Sequence, residues 1–191
     1  CLWTRQPHHP SLGFSGDIRP PSPSDGQAEP ARQALIERIV ADYQVGFSKQ
    51  EVSLLARVID DESRRYRHDP RLLLAVILTE SSLRKGSISS QGALGLMQIK
   101  PALAVELASR PGCELDVRTS LLDPAYNIRL GTLHLSELIS KYGDTTMGLV
   151  AYNLGETAMR SRLAANRRLP SQYVRRVMSK YEELLEKYPD A

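Results

Sequence analysis

Leu73, Val76 and Ile77 mark an apolar helical stripe, and continuing the same three-and-four spacing lands on Glu80. A carboxyl on a core-facing stripe is desolvated, which disfavours its charged form and raises its pKa. Held protonated beside a cleft, such an acid can protonate a glycosidic oxygen as the bond breaks. The plain alternative is a helix-end glutamate that reaches solvent or pairs with Arg84 one turn on. Two further segments carry usable chemistry. Gly92-Ala93-Leu94-Gly95-Leu96-Met97-Gln98-Ile99 joins a backbone that can approach a ligand closely to an adaptable apolar side chain and an amide. Ala151-Tyr152-Asn153-Leu154-Gly155 presents a hydroxyl and an amide at the end of an apolar helix. Read singly, the first is also an ordinary turn before Pro101. The second is also a core tyrosine followed by helix-ending residues.

The elements that must position these residues are helical. Leu35, Ile36, Ile39, Val40 and Tyr43 form one stripe. Ser48-Lys49-Gln50-Glu51 reads as a capping box before Val52, Leu55, Ala56 and Ile59. Asp69-Pro70 and Asp123-Pro124 are cap-plus-first-turn signals. The first predicts a helix running through Leu83 to a break at Gly86, and the second a helix ending at Gly143. A helix after Asp144 carries Tyr152 and Asn153, and a last one shows Val174, Val177, Met178, Tyr181, Leu185 and Tyr188 at a 3.6 period. Alternation at period two is confined to Leu94–Ile99. The fold class is all-α.

The chain of 191 residues carries 25 Lys and Arg against 22 Asp and Glu, a net charge of +3 with 41% hydrophobic residues. That is the composition of an ordinary globular domain. The apolar run Leu72–Leu78 is far below the roughly 20 residues of a membrane span. The mild charge excess gives no nucleic-acid signature, and the four histidines lack metal-ligand spacing. No metal and no cofactor is expected. Residues 1–30 hold six of the 12 prolines without helical periodicity, so they read as a disordered tether ahead of a domain over 31–191. Arg160, Arg162, Arg167, Arg168, Arg175 and Arg176 read as solvated helix faces, with steering of carboxylates the competing reading.

Taken together and in order, Glu80-Ser81, Gly92 through Ile99 and Ala151 through Gly155 resemble the soluble-lytic-transglycosylase-type domain of peptidoglycan-cleaving enzymes. Asp123-Pro124 with Asn127-Ile128 and Gly131 is similar to that family's connecting helix, and Tyr173-Val174 with Val177 to its closing segment. The resemblance covers about Pro70 to Val177. It implies a lysozyme-like helical domain acting on peptidoglycan glycan strands, a lyase reaction. Glu80 is then the single acid/base between N-acetylmuramic acid and N-acetylglucosamine, and the product ends in a 1,6-anhydro ring. Ser81 would hold the acetamido group or Glu80 itself, and Met97 and Gln98 would line the groove. Tyr152 would orient the charged centre, Asn153 shape the groove and Tyr173 hydrogen-bond near Glu80. No second acid stands out around the motifs, and Glu106, Glu114 and Asp116 lie outside them, which favours acetamido participation over a two-carboxylate mechanism. Leu154, Leu103 and His134 depart from the family pattern: Leu154 would narrow the groove or tilt Asn153, and His134 would affect helix packing only. A lysozyme-like hydrolase and a non-catalytic murein-binding scaffold remain alternatives.

Cys1 followed by the Pro/Ser/Gly stretch resembles a mature bacterial lipoprotein. It implies a lipid on Cys1, a membrane anchor without a span, and placement at the periplasmic face of the outer membrane. Cys113 is then a lone structural thiol, with a Cys1–Cys113 disulfide the rival reading.

Overall fold

The computed structural model describes residues 28–110 and 119–189. Cys1, Cys113, Glu114, Asp116 and nearly all of the expected tether lie outside the described residues. Within them the chain forms α1 (Ala28–Tyr43), α2 (Lys49–Tyr66), α3 (Pro70–Ser81), α4 (Pro101–Ala108), α5 (Pro124–Tyr142), α6 (Thr145–Leu154), α7 (Glu156–Ala164) and α8 (Gln172–Lys187). No strand accompanies them among the described residues. No described helix is long and apolar enough to cross a membrane.

Local sequence sets most boundaries. Ser48 Oγ accepts from the Glu51 N–H at 3.3 Å while the Glu51 carboxylate accepts from the Ser48 N–H at 2.9 Å, so α2 opens on the predicted capping box. Asp123 caps α5 through the Tyr126 N–H at 2.7 Å, and Asp144 caps α6 through the Met147 N–H at 2.8 Å. α7 is the helix that periodicity missed. Of its side chains only Met159 is buried, so it has no apolar stripe to read.

α3 is the central element. Every residue from Arg71 to Leu78 is buried, which fits its apolar surround, and each large side chain there contributes roughly 1.5–3 kcal/mol. Its start is fixed by Asp69. That carboxylate caps the Arg71 N–H at 2.8 Å, accepts a forked pair from the Arg71 guanidinium at 3.1 and 3.0 Å, and accepts the Tyr181 hydroxyl at 3.0 Å. α3 and α8 are thereby tied together at one end. The helix stops at Ser81, short of the expected Leu83. Ser82 and Leu83 turn left-handed, with φ of 53° and 52°, which sends the Leu83 side chain into the core. The Leu83 carbonyl then accepts from the Val45 N–H at 3.2 Å. The exposed end of α3 thus carries Glu80 in its last turn.

The Gly-rich segment folds as a short bridge, with Leu94 and Ile99 exchanging backbone bonds at 3.0 and 2.9 Å. That is the physical basis of the period-two alternation. Asn127 of α5, fully buried, staples this loop. Its Oδ1 accepts from the Met97 N–H at 2.7 Å, and its Nδ2 donates to the carbonyls of Leu94 and Leu121 at 2.9 and 3.0 Å. Gly95, at φ 77°, gives way to this amide, since a Cβ there would strike Asn127 and lie 2.5 Å from the Leu121 oxygen. Replacing Asn127 by Ala strands two buried backbone groups, the Met97 N–H and the Leu121 carbonyl, each costing on the order of 1–3 kcal/mol, while the Leu94 carbonyl keeps the Ile99 N–H. Asn127→Ala is expected to lose about 3 kcal/mol in a denaturant titration. A loss below about 1 kcal/mol would show that the loop does not depend on the staple.

Candidate active site

The last turn of α3 presents Glu80 to a cleft of about 740 Å³. The α8 residue Tyr173 is 7% exposed, and its hydroxyl donates to Glu80 Oε1 at 2.6 Å. Arg176, one turn further along α8, donates to the Thr79 carbonyl at 3.0 Å and places its charge near the carboxylate. Burial pushes the Glu80 pKa above the usual carboxylate range, while the Tyr173 bond and then the Arg176 charge pull it back down without cancelling the shift. Arg84 forms no ion pair with Glu80 among the described residues.

The opposing surface is built on the backbone of Met97. Asn127 holds its N–H, and the Tyr152 hydroxyl of α6 donates to its carbonyl at 2.7 Å. Burial, then the nearby Glu80 charge, raises the Tyr152 pKa well above the ordinary phenol value, so the hydroxyl stays protonated as a donor. Tyr173 is raised likewise, by burial and then by the Glu80 charge. Gln98 follows in a left-handed conformation (φ 52°), with its amide nitrogen donating to the Gly95 carbonyl at 2.9 Å.

The cleft brings together Glu80, Gln98, Tyr152 and Asn153 along its lining, with Tyr173 behind Glu80. Met97 does not line it. The Met97 side chain is fully buried against α5, where only a glycine at position 131 leaves room for its sulfur, so its part in the groove is its backbone. Ser81 does not line it either; its hydroxyl donates back to the Ile77 carbonyl at 3.1 Å. Leu154 and Leu103 are both on the wall, as is His134. The His134 ring lies 5.5 Å from that of Tyr152, and burial lowers its pKa, so a neutral imidazole backs the tyrosine in addition to packing its own helix.

Three more carboxylates also line the cleft, one of them Glu106, which lies outside the sequence motifs. Glu106 pairs with Arg110 at 2.8 Å, Glu137 pairs with the same guanidinium, and Glu156 pairs with Lys141. The Lys141 bond lowers the Glu156 pKa and keeps it ionised. Sequence reasoning missed Glu137, Glu156, Arg176 and the Asn127 staple as parts of this region. Only Asn127 had a signal, its place one turn after the Asp123 cap.

Chemically, the cleft offers one protonatable acid held by a phenol, and carboxylates elsewhere committed to cations. Because the folded-state pKa of Glu80 is raised, its contribution favours folding most below the unfolded value and is lost as pH rises through the folded pKa. Glu80→Gln removes the desolvated charge and keeps an oxygen for Tyr173. Its thermal midpoint is expected to exceed wild type at pH 8, by about 2–4 °C per kcal/mol relieved. The gain should vanish near pH 4, where both forms are neutral. Scanning calorimetry at the two pH values checks this; a lower midpoint at pH 8 contradicts the burial assigned to Glu80.

The chain is similar to known proteins over part of its length. A protein named Transglycosylase from Enterobacteria phage PRD1 is 40% identical over 93 residues, which is 49% of this chain and 32% of that protein. Proteins named Membrane-bound lytic murein transglycosylase C from Shigella sonnei (strain Ss046) and Klebsiella pneumoniae (strain 342) are each 37% identical. Those matches cover 46% and 44% of this chain, and 25% and 24% of the relatives. The chain spans about a quarter to a third of the length of these proteins. Among solved structures, an inactive mutant of the lytic transglycosylase Slt from Pseudomonas aeruginosa superposes with a TM-score of 0.60 at 24% identity, over 80% of this chain and 30% of that one. The 70 kDa soluble lytic transglycosylase SLT70 of Escherichia coli gives 0.56 at 24% identity, over 83% and 31%. Both share the all-α, lysozyme-like architecture. Residues 57–174, more than half of the sequence, match the family described as Transglycosylase SLT domain, and the chain belongs to that family.

Proposed function

We propose that this chain is a peptidoglycan lytic transglycosylase that cleaves the β-1,4 bond between N-acetylmuramic acid and N-acetylglucosamine without adding water. The observation that carries the reading is the Glu80 carboxyl, desolvated at the cleft wall with a raised pKa and a 2.6 Å bond from Tyr173. Membership of the family supports it, as do relatives named for murein. The helical body, which begins with α1 at Ala28 rather than at the expected Ala31, is the catalytic domain. A murein substrate puts the work in a bacterial cell envelope.

In this mechanism the protonated Glu80 gives its proton to the glycosidic oxygen as the bond from C1 breaks, and the substrate's own acetamido oxygen covers C1. The C6 hydroxyl of the muramic acid then attacks C1, and its proton returns to Glu80. The atoms balance with no water consumed, and one carboxyl serves both steps. A second carboxylate is not free to serve as base, because Glu106, Glu137 and Glu156 are each paired with a cation. Gln98 and Asn153 meet the sugar groups, Tyr152 fixes the Met97 carbonyl beneath them, and Ser81 and Met97 act from below the surface.

Mass spectrometry of purified peptidoglycan digested by the protein is expected to show muropeptides one water lighter than hydrolysis products, with non-reducible 1,6-anhydro ends. Glu80→Gln is expected to lose roughly 10²–10⁴-fold in rate. Reducible ends in the products would make the enzyme a hydrolase and remove the ring closure.

The pH profile provides a separate check. Activity should fall as pH rises through the Glu80 pKa, above the ordinary carboxylate range. In Tyr173→Phe, which loses a bond that favours the carboxylate, that falling limb should move to higher pH. A limb that stays in place or moves down would show that Tyr173 does not tune the acid.

A further inference from the structure

Between Thr157 and Lys180 the chain carries six arginines and one lysine and not a single Asp or Glu. The segment comprises most of α7, the turn after it and the first half of α8. Arg160, Arg167, Arg168, Arg175 and Arg176 are exposed and Arg162 is half-buried. Elsewhere on the molecule several cations pair with acids, among them Arg64 with Asp60, Lys85 with Glu51, Arg110 with Glu106 and Glu137, and Lys141 with Glu156, although others, Arg57 and Lys100 for example, form no such pair among the described residues. None of these six arginines has a carboxylate within 4.0 Å among the described residues. Backbone and side-chain bonds gather them. The Arg167 N–H reaches the Arg162 carbonyl at 2.8 Å, the Arg162 guanidinium reaches the Arg168 carbonyl at 3.2 Å, and Arg175 bonds Ser171 Oγ at 2.5 Å.

The strip borders the cleft at both ends. Arg176 touches the carbonyl of Thr79, the neighbour of Glu80, and the charge of Arg160 reaches Glu156 on the cleft wall. A guanidinium is a planar fork suited to carboxylates, and an unpaired row of them raises the local concentration of anions. Embedding in a lipid surface would call for exposed apolar side chains beside the cations. The large exposed ones, Val45, Leu54, Ile88, Val105 and Leu122, all lie outside this segment.

We propose that the arginine strip of α7, the following turn and α8 is a docking surface for the carboxylates of the peptide stems on the glycan strand held in the cleft. The proposal rests on the glycan reading of the cleft and adds to it a preference for peptide-bearing over peptide-free strands.

The test compares wild type with the triple variant Arg160→Gln, Arg167→Gln, Arg168→Gln, three side chains that make no hydrogen bond within the protein among the described residues. Binding is measured to intact sacculi, to glycan stripped of peptide by an amidase, and to vesicles of anionic phospholipid. Each exposed charge pair contributes a factor of about two, so the variant should bind sacculi on the order of five- to tenfold more weakly. Its binding to stripped glycan should be unchanged, and the wild-type preference should collapse in about 0.5 M salt. An unchanged thermal midpoint shows that the variant is folded, and the single Arg168→Gln, expected at about a twofold loss, serves if the triple variant is not. Unchanged binding to sacculi overturns the proposal, as does an equal loss on stripped glycan, or a loss confined to the vesicles. If wild type makes no 1,6-anhydro ends while the peptide preference still follows the arginines, the reaction assigned to Glu80 fails and the docking surface stands. Anhydro products formed with no preference for peptide-bearing strands leave the reaction standing and overturn the docking surface.

Discussion

A carboxyl on a core-facing helix end must either find a cation, find donors or hold its proton. Glu80 has one short bond from Tyr173 and a guanidinium at some remove, and its desolvation outweighs both. Much of the architecture serves that imbalance. The Asp69 hub fixes α3 against α8 at the far end, through Arg71 and Tyr181, so that Tyr173 faces Glu80 at the near end. The left-handed turn at Ser82 and Leu83 ends α3 immediately after Glu80 and buries Leu83, leaving the carboxyl at the edge of the core.

The second constraint is the Met97 backbone. Its N–H donates to Asn127 and its carbonyl accepts from Tyr152, so α5 and α6 hold the two peptide groups that flank one residue of the loop and keep the floor of the cleft in register. The close approach depends on missing Cβ atoms at Gly95 and Gly131, where the Asn127 amide and the Met97 sulfur occupy the space. The electrostatics follow the same division. The other acids on the cleft wall are paired locally, Glu106 and Glu137 with Arg110 and Glu156 with Lys141, leaving Glu80 as the cleft acid whose pKa burial raises.

The helices were legible wherever capping chemistry or an apolar stripe wrote them into the sequence: the Ser48 box, the Asp-Pro starts of α3 and α5, the period of α8. α7 was not, because a helix with one buried side chain leaves no period. The approach of Glu80, Gln98, Tyr152 and Asn153 to one cleft followed from the family pattern rather than from spacing, since these residues come from three separate stretches of chain. Met97 and Ser81 show the limit of that transfer. A residue type does not reveal whether its side chain or its backbone faces the groove, and only the packing at Gly131 and the bond to Ile77 decide it. The pairing of Glu106 with Arg110 has the readable i, i+4 spacing, whereas the contact of the same guanidinium with Glu137 of α5 has no local signal.

The central claim is that burial raises the pKa of the Glu80 carboxyl above the ordinary carboxylate range. The direct measurement is a carbon-detected NMR titration of the glutamate side-chain carboxyls, with Glu80 assigned by its absence in Glu80→Gln. The account predicts a Glu80 resonance that titrates above the ordinary glutamate value of 4.5, distinct from the other glutamates. A Glu80 carboxyl that titrates at or below that value would contradict it, leaving an ionised carboxylate with no proton to give.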